Sequence, residues 1–262
     1  MTTRRSFLVT GVALGATTIL PTATLAQQNG SNTFETEEGP ITVHPVHHAS
    51  FVMETPSRVI YVDPVGEPSL YDDFPEPDLI LITHEHGDHY NAETLQELAV
   101  GKTQILTNMA VYDMLPSDLQ MKSQQVANGE SIDVSGLMIE AIPAYNTTEG
   151  RLDFHPEGRD NGYLFEIGGR RIYIAGDTEG TEEMRALENI FLAFVPMNLP
   201  YTMDAEQAAD AVGEFQPAYV YPYHYRGGDG GTQDPEAFAT MLGENGAETE
   251  VLMGDWYEPG EL

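Results

Sequence analysis

The chain contains no cysteine, so no disulfide forms and no thiolate is available as a metal ligand. Any metal site must be built from histidine, aspartate and glutamate. Positive charge is nearly as scarce, with 11 Lys+Arg against 42 Asp+Glu in 262 residues, a formal net charge of −31. Only Lys102 and Lys122 are lysines. Nucleic acid is therefore not an expected partner, because phosphate binding needs clustered Lys and Arg. The acids are scattered and do not form a block, so they read as a hydrated surface of the kind that stays soluble in high salt. Hydrophobic residues make up 41% of the chain, enough to exclude a disordered acidic tail.

Long apolar runs are also missing. The nearest to one, Phe7–Leu20, is too short for a comfortable membrane span. It follows Arg4-Arg5 and precedes small residues ending at Ala26, the three parts of a cleavable export signal over residues 1–26. Arg4-Arg5 followed by Ser6-Phe7-Leu8 resembles the twin-arginine signal, whose pathway exports folded proteins. The expected location is the periplasm or cell exterior, with no stable membrane insertion after cleavage. Residues 27–39 are polar, poor in aliphatics, and read as a flexible spacer.

From Pro40 onward short apolar runs alternate with turns. Ile41–Val46, Ser50–Glu54, Val59–Val62 and Leu79–Ile82 read as strands, and Ala92–Leu98 has helical spacing. Gln104–Leu106 and Gln124–Val126 read as short strands around a helix near Met109–Met114. Leu137–Ile142 and a hairpin turning at Gly168-Gly169 continue the β pattern. Strands at Leu192–Val195, Ala218–Tyr221 and Glu250–Met253 then alternate with helices at Glu182–Leu187, Ala205–Phe215 and Asp234–Leu242. Meanders passing into β-α alternation in each half predict two face-to-face sheets with helices outside, in one domain over residues 40–262.

The densest chemistry lies in Leu81–Tyr90, LITHEHGDHY, where His84, His86, Asp88 and His89 fall within six positions behind a buried strand. Imidazole nitrogens and carboxylate oxygens suit zinc, manganese or iron, and the spacing H-x-H-x-D-H lets one loop serve two ions. Two more ligand types end strands downstream: Asp177 after Ile172–Ala175, and His224 after Tyr219–Tyr223. Functional groups gather beyond strand ends in sheets covered by helices, so the three segments are expected on one rim.

The series His84-Glu85-His86-Gly87-Asp88-His89, Gly176-Asp177-Thr178 and His224 resembles the metallo-β-lactamase fold superfamily. His47-His48-Ala49-Ser50-Phe51, Val62-Asp63-Pro64 and Ala175-Gly176-Asp177-Thr178 further resemble the branch related to ascorbate-6-phosphate lactonase and, more distantly, to N-acylphosphatidylethanolamine phospholipase D. The resemblance implies an α+β four-layer αββα sandwich and a hydrolase holding two divalent ions, zinc first, manganese or iron otherwise. It implies His84, His86 and one later histidine at the first ion, Asp88, His89 and His224 at the second, and Asp177 bridging. Asp88 and Asp177 would take part in catalysis, with a small-molecule lactone, phosphodiester or amide as substrate.

The later histidine departs from the pattern, because its usual place after a strand reads Pro143-Ala144-Tyr145-Asn146. Either His155 folds back from a loop or Asn146 stands there and weakens the site. The distinctive neighbours Arg151, Phe154 and Arg159 favour His155. Asp63 is the candidate to orient a metal-bound histidine. His48 is expected near the site, with Tyr145, Arg159, Tyr201 and Tyr225 as pocket candidates, and His44 and His47 on strands or the surface. Two other functions are open: a flavodiiron-like redox protein, disfavoured by His86 and the lack of a flavin domain, and a non-catalytic metal-holding scaffold.

Overall fold

The structure is a computed structural model that describes residues 26–28, 31–227 and 231–257. The first sheet runs in chain order through β1 (Ala26–Gln28), β2 (Ser31–Thr36), β3 (Gly39–His47), β4 (Ser50–Glu54), β5 (Val59–Val62), β6 (Leu79–Leu81), β7 (Gln104–Thr107) and β8 (Ser123–Gln125). The second runs through β9 (Ser131–Val134), β10 (Leu137–Ala144), β11 (Asp160–Ile167), β12 (Arg170–Ile174), β13 (Ile190–Pro196), β14 (Tyr219–Tyr223) and β15 (Glu250–Val251). Both begin antiparallel and change to parallel, at β5 and at β12. Parallel neighbours need crossovers, which tight turns cannot make. These carry α1 (Ala92–Leu98), α2 (Met109–Met114), α3 (Ser117–Gln120), α4 (Glu182–Arg185), α5 (Ala205–Phe215) and α6 (Pro235–Glu244).

Side chains alternate between the two faces of each strand, so consecutive apolar residues serve two different cores. Phe51, Met53, Leu79 and Leu81 point between the sheets against Tyr163, Phe165, Ile174 and Phe194. Their neighbours Val52, Tyr61 and Ile80 face outward to Leu95, Val111 and Leu119 of the first helical layer. On the other side Tyr173, Ala193 and Val220 lie under Ala208, Val212, Phe215 and Phe238 of α5 and α6. The result is the four-layer αββα sandwich. Phe194, fully buried, stacks on Phe51 at 4.1 Å and on Tyr221 at 5.2 Å, joining the sheets at mid-core. Phe194→Ala is expected to lower stability by about 3–5 kcal/mol, measured by denaturant unfolding.

The stretch expected to be a flexible spacer is different: most of it forms β1 and β2 and pairs into the first sheet. Phe34 explains why, since its ring is fully buried against Phe191 at 5.6 Å and Tyr219 at 5.2 Å. One aromatic anchor plus ladder hydrogen bonds orders a segment whose composition is otherwise polar. Ala26, the expected cleavage position, begins β1, and residues 1–25 of the expected signal lie outside the described residues. Among the described residues no helix is long and apolar enough to cross a membrane.

Candidate metal centre

The parallel strands β5, β6, β12, β13 and β14 all end at one rim, and their first following residues build the site. After β6 the chain turns tightly, with His89 N and Tyr90 N both donating to His86 O at 2.9 and 2.8 Å. That turn brings the His84 ring within 4.7 Å of His86 and 4.0 Å of His89. After β12, Gly176 takes φ +66°, and a Cβ there would meet Asn161 O and Thr83 Cβ at 3.0 Å. Glycine takes this conformation without strain, and Asp177 follows it into the cluster. His224, after β14, also has positive φ, and its N–H donates to His48 O at 3.2 Å.

Asp177 lies at the middle of the cluster. Its Oδ1 is 3.3 Å from His89 Nε2, and its Oδ2 is 3.5 Å from both His155 Nε2 and His224 Nε2. His84 Nε2 is 3.0 Å from His86 Nδ1. Asp88 Oδ2 lies 3.3 Å from His224 Nε2 and 3.6 Å from His48 Nε2. One ligand atom each from His84, His86 and His155 fall within 4.8 Å of one another, as do those of His84, His89 and Asp177, and those of His48, Asp88 and His224. The structure brings together every residue expected to bind metal, and His155 faces the cluster. Asn146 stands behind it, its Oδ1 3.1 Å from His155 Nδ1 and its N–H donating to His155 O at 2.9 Å.

Outer contacts fix each ring. Asp63, fully buried at φ +43°, accepts from Thr83 N and Thr83 Oγ1 at 2.7 Å and meets His89 Nδ1 at 2.8 Å. Thr83 Oγ1 lies 3.0 Å from His84 Nδ1. His155 Nδ1 also meets Tyr201 O at 3.2 Å, and His224 Nδ1 meets the Asn198 side-chain amide at 2.7 Å. His48 Nδ1 lies 2.8 Å from Tyr257 Oη, and its ring sits on His224 at 3.8 Å. The inward atoms are the opposite case. His89 Nε2, His155 Nε2, His224 Nε2 and Asp177 Oδ1 are buried without a hydrogen-bond partner among the described residues.

Charge follows the same division. Burial, then the neighbouring His89, holds His84 well below the ordinary imidazole range. Burial lowers His155 and His48 to about 4 and also lowers His86. These rings are neutral near pH 7, as ligands must be. Burial would lower His89 too, but Asp177 and Asp63 outweigh it and raise the ring well above that range. Burial would raise Asp177 and Asp88; the His224 and His89 rings outweigh it at Asp177, and the nearby His224 and His48 rings do so at Asp88, holding both carboxyls low. His89 thus lies between the carboxyl groups of Asp63 and Asp177, which favour positive charge at this point. A divalent ion satisfies the same field and the unpartnered nitrogens as well, so the donor set fits metal.

The pocket candidates separate. Arg159 borders a cleft of about 570 Å³ with Met109, Val126, Asn128 and Asn161. Its guanidinium is engaged, donating to both oxygens of Asp160 at 2.7 and 2.8 Å and pairing with Glu85 at 3.0 Å. Tyr145 turns its hydroxyl to Glu183 at 3.1 Å. Tyr201 packs on Phe154 at 4.9 Å and Tyr225 on Tyr257 at 5.0 Å. His44 and His47 lie on β3. Sequence reasoning missed Asn198, Tyr257 and Glu179. Asn198 had a signal: it follows β13, the strand between those that carry Asp177 and His224.

The sequence profile of the family described as "Beta-lactamase superfamily domain" matches residues 42–224, from β3 through the last cluster histidine. The UPF0173 metal-dependent hydrolase of Pyrococcus abyssi is 30% identical over 225 residues, covering 82% of this chain and 95% of its own length. A solved structure from Parabacteroides distasonis, described as that of a metal-dependent hydrolase, is 37% identical with a TM-score of 0.74, covering 87% of this chain and 99% of its own. A metallo-β-lactamase fold protein of Bacillus subtilis has a TM-score of 0.61 at 12% identity, covering 86% and 95%, a likeness of fold alone.

Proposed function

Since the chain belongs to the β-lactamase superfamily as a metal-dependent hydrolase, we propose that it holds two divalent ions and cleaves an ester-like bond in a small molecule. His84, His86 and His155 would hold one ion and Asp88, His89 and His224 the other, with Asp177 placed to serve both. The observation that carries this reading is the set of buried inward nitrogens and the central carboxylate oxygen left without partners. Bound there, the ions would lower the pKa of a water toward neutrality and polarise the oxygen that gains charge during cleavage.

The chain's own groups have distinct tasks. Asp63 and Thr83 hold His89 and His84 by their Nδ1 atoms, leaving each Nε2 directed inward. Asp88, half exposed at the mouth, reaches the entering water and substrate. The cleft bordered by Arg159, whose guanidinium pairs with Glu85 of the ligand loop, would receive the body of the substrate. Histidine and carboxylate donors suit zinc first, with manganese or iron as alternatives. The finer kinship to lactonase and phospholipase D relatives rests on residues 47–51, 62–64 and 175–178 and belongs to this proposal. So do export, supported by Arg4-Arg5 and the apolar stretch behind them, and work in high salt, supported by the net charge of −31.

The test pairs metal analysis with lactone, phosphodiester and β-lactam substrates in low and high salt. Two ions per chain are expected, with turnover lost on chelation and restored by adding metal back. Fewer than two ions, with no turnover that depends on His86 and Asp177, removes the reading.

A further inference from the structure

His155 belongs to the 145–159 loop between β10 and β11, yet only 1% of it is exposed. A loop without strand or helix needs another source of rigidity to hold a ring that deep. Glu179, two residues beyond Asp177 and 3% exposed, supplies it. Its Oε2 accepts from the N–H of Thr147 and of Thr148 at 2.8 Å, and from their hydroxyls at 2.8 and 2.9 Å. Its Oε1 meets Arg151 Nη2 at 2.8 Å. Arg151 also donates to Thr148 Oγ1 at 2.8 Å and to Thr202 O at 3.1 Å, adjoining the Tyr201 carbonyl that contacts His155. The Glu179 N–H donates to Tyr145 O at 3.0 Å, and Thr178 Oγ1 accepts from Tyr145 N at 3.0 Å.

We propose that Glu179 is a positioning residue that fixes His155 as the third histidine of the first ion. The segment Asp177-Thr178-Glu179 then supplies the bridging ligand and the clamp for a ligand on another loop. This rests on the two-ion reading. The charge matters as well as the shape: a glutamine has one oxygen and turns an N–H₂ toward donors.

The test uses the full chain, loaded with metal as purified, and compares wild type with Glu179→Gln and His155→Ala. Wild type is expected to keep two ions under graded chelator. Both variants should keep one and release the other at chelator levels about 10–100-fold lower, the range for loss of a contact that orients a ligand. Protein loaded with Co(II) gives a second readout, because the visible absorption reports the coordination of the ion. Glu179→Gln should reproduce the His155→Ala spectrum. If Glu179→Gln does not fold, Thr148→Val carries the test, since it removes one hydroxyl donor and keeps the backbone bond. It should weaken the first ion alone. Wild type holding two ions, with the folded variant matching it in metal retention and spectrum, overturns the clamp and leaves the two-ion reading standing. Wild type holding fewer than two removes both.

Discussion

Asp177→Asn should lower this enzyme's turnover by on the order of 10²–10³-fold, the scale seen when a preorganised electrostatic contact is removed from an active site. The carboxylate touches both halves of the cluster, with one oxygen 3.3 Å from His89 and the other 3.5 Å from His155 and His224. Asparagine keeps the volume but supplies one oxygen and directs an N–H₂ at a ring nitrogen. Bound metal should fall together with kcat. Stability without metal should fall as well, because the substitution removes one of the two carboxylates that face the buried His89 ring. Kinetics and metal content on one preparation check this. Full metal content with activity within tenfold of wild type would show that Asp177 does not bridge.

Asp63→Ala is expected to act on both folding and metal. Its two oxygens take three contacts, all between fully buried groups: Thr83 N, Thr83 Oγ1 and His89 Nδ1. Removing one partner of such a buried pair costs about 3–5 kcal/mol. Freeing His89 to rotate should weaken metal binding by about 10–100-fold. Asp63→Asn separates the two parts, since asparagine tolerates the positive φ of residue 63 and keeps one acceptor. It should recover part of the stability and little of the metal affinity. Equilibrium unfolding with and without metal measures both. An alanine variant with wild-type stability and metal retention would reduce Asp63 to an ordinary turn residue.

Both predictions turn on residues that differ in how readable they are from the chain alone. The His84–His89 cluster is legible because six consecutive positions carry four ligand residues, and no folding requirement explains that density. Asp177 and His224 are legible only as strand-end residues in the right order, and His155 only as one of two options. Glu179 has no local signal: an acid after Asp177-Thr178 in so acidic a chain looks like one more surface charge. Its role comes from two threonines and an arginine about thirty residues upstream. The polar stretch Ser31–Thr36 misleads in the opposite direction, since one phenylalanine is enough to seat it as a strand once its partners exist.

By itself the sequence determined the donor types, through the absence of cysteine and the crowding of histidine after a buried strand. It also determined the layering, through apolar runs whose period matches two sheets and outer helices. The tertiary structure alone decided which loop residues converge. A loop side chain is placed by contacts that are distant in sequence and close in space, such as Glu179 with Thr147, Thr148 and Arg151. Local pattern carries no record of such contacts. The periodicity of strands and helices does record which face is buried, because burial repeats along the chain every two or every three to four residues.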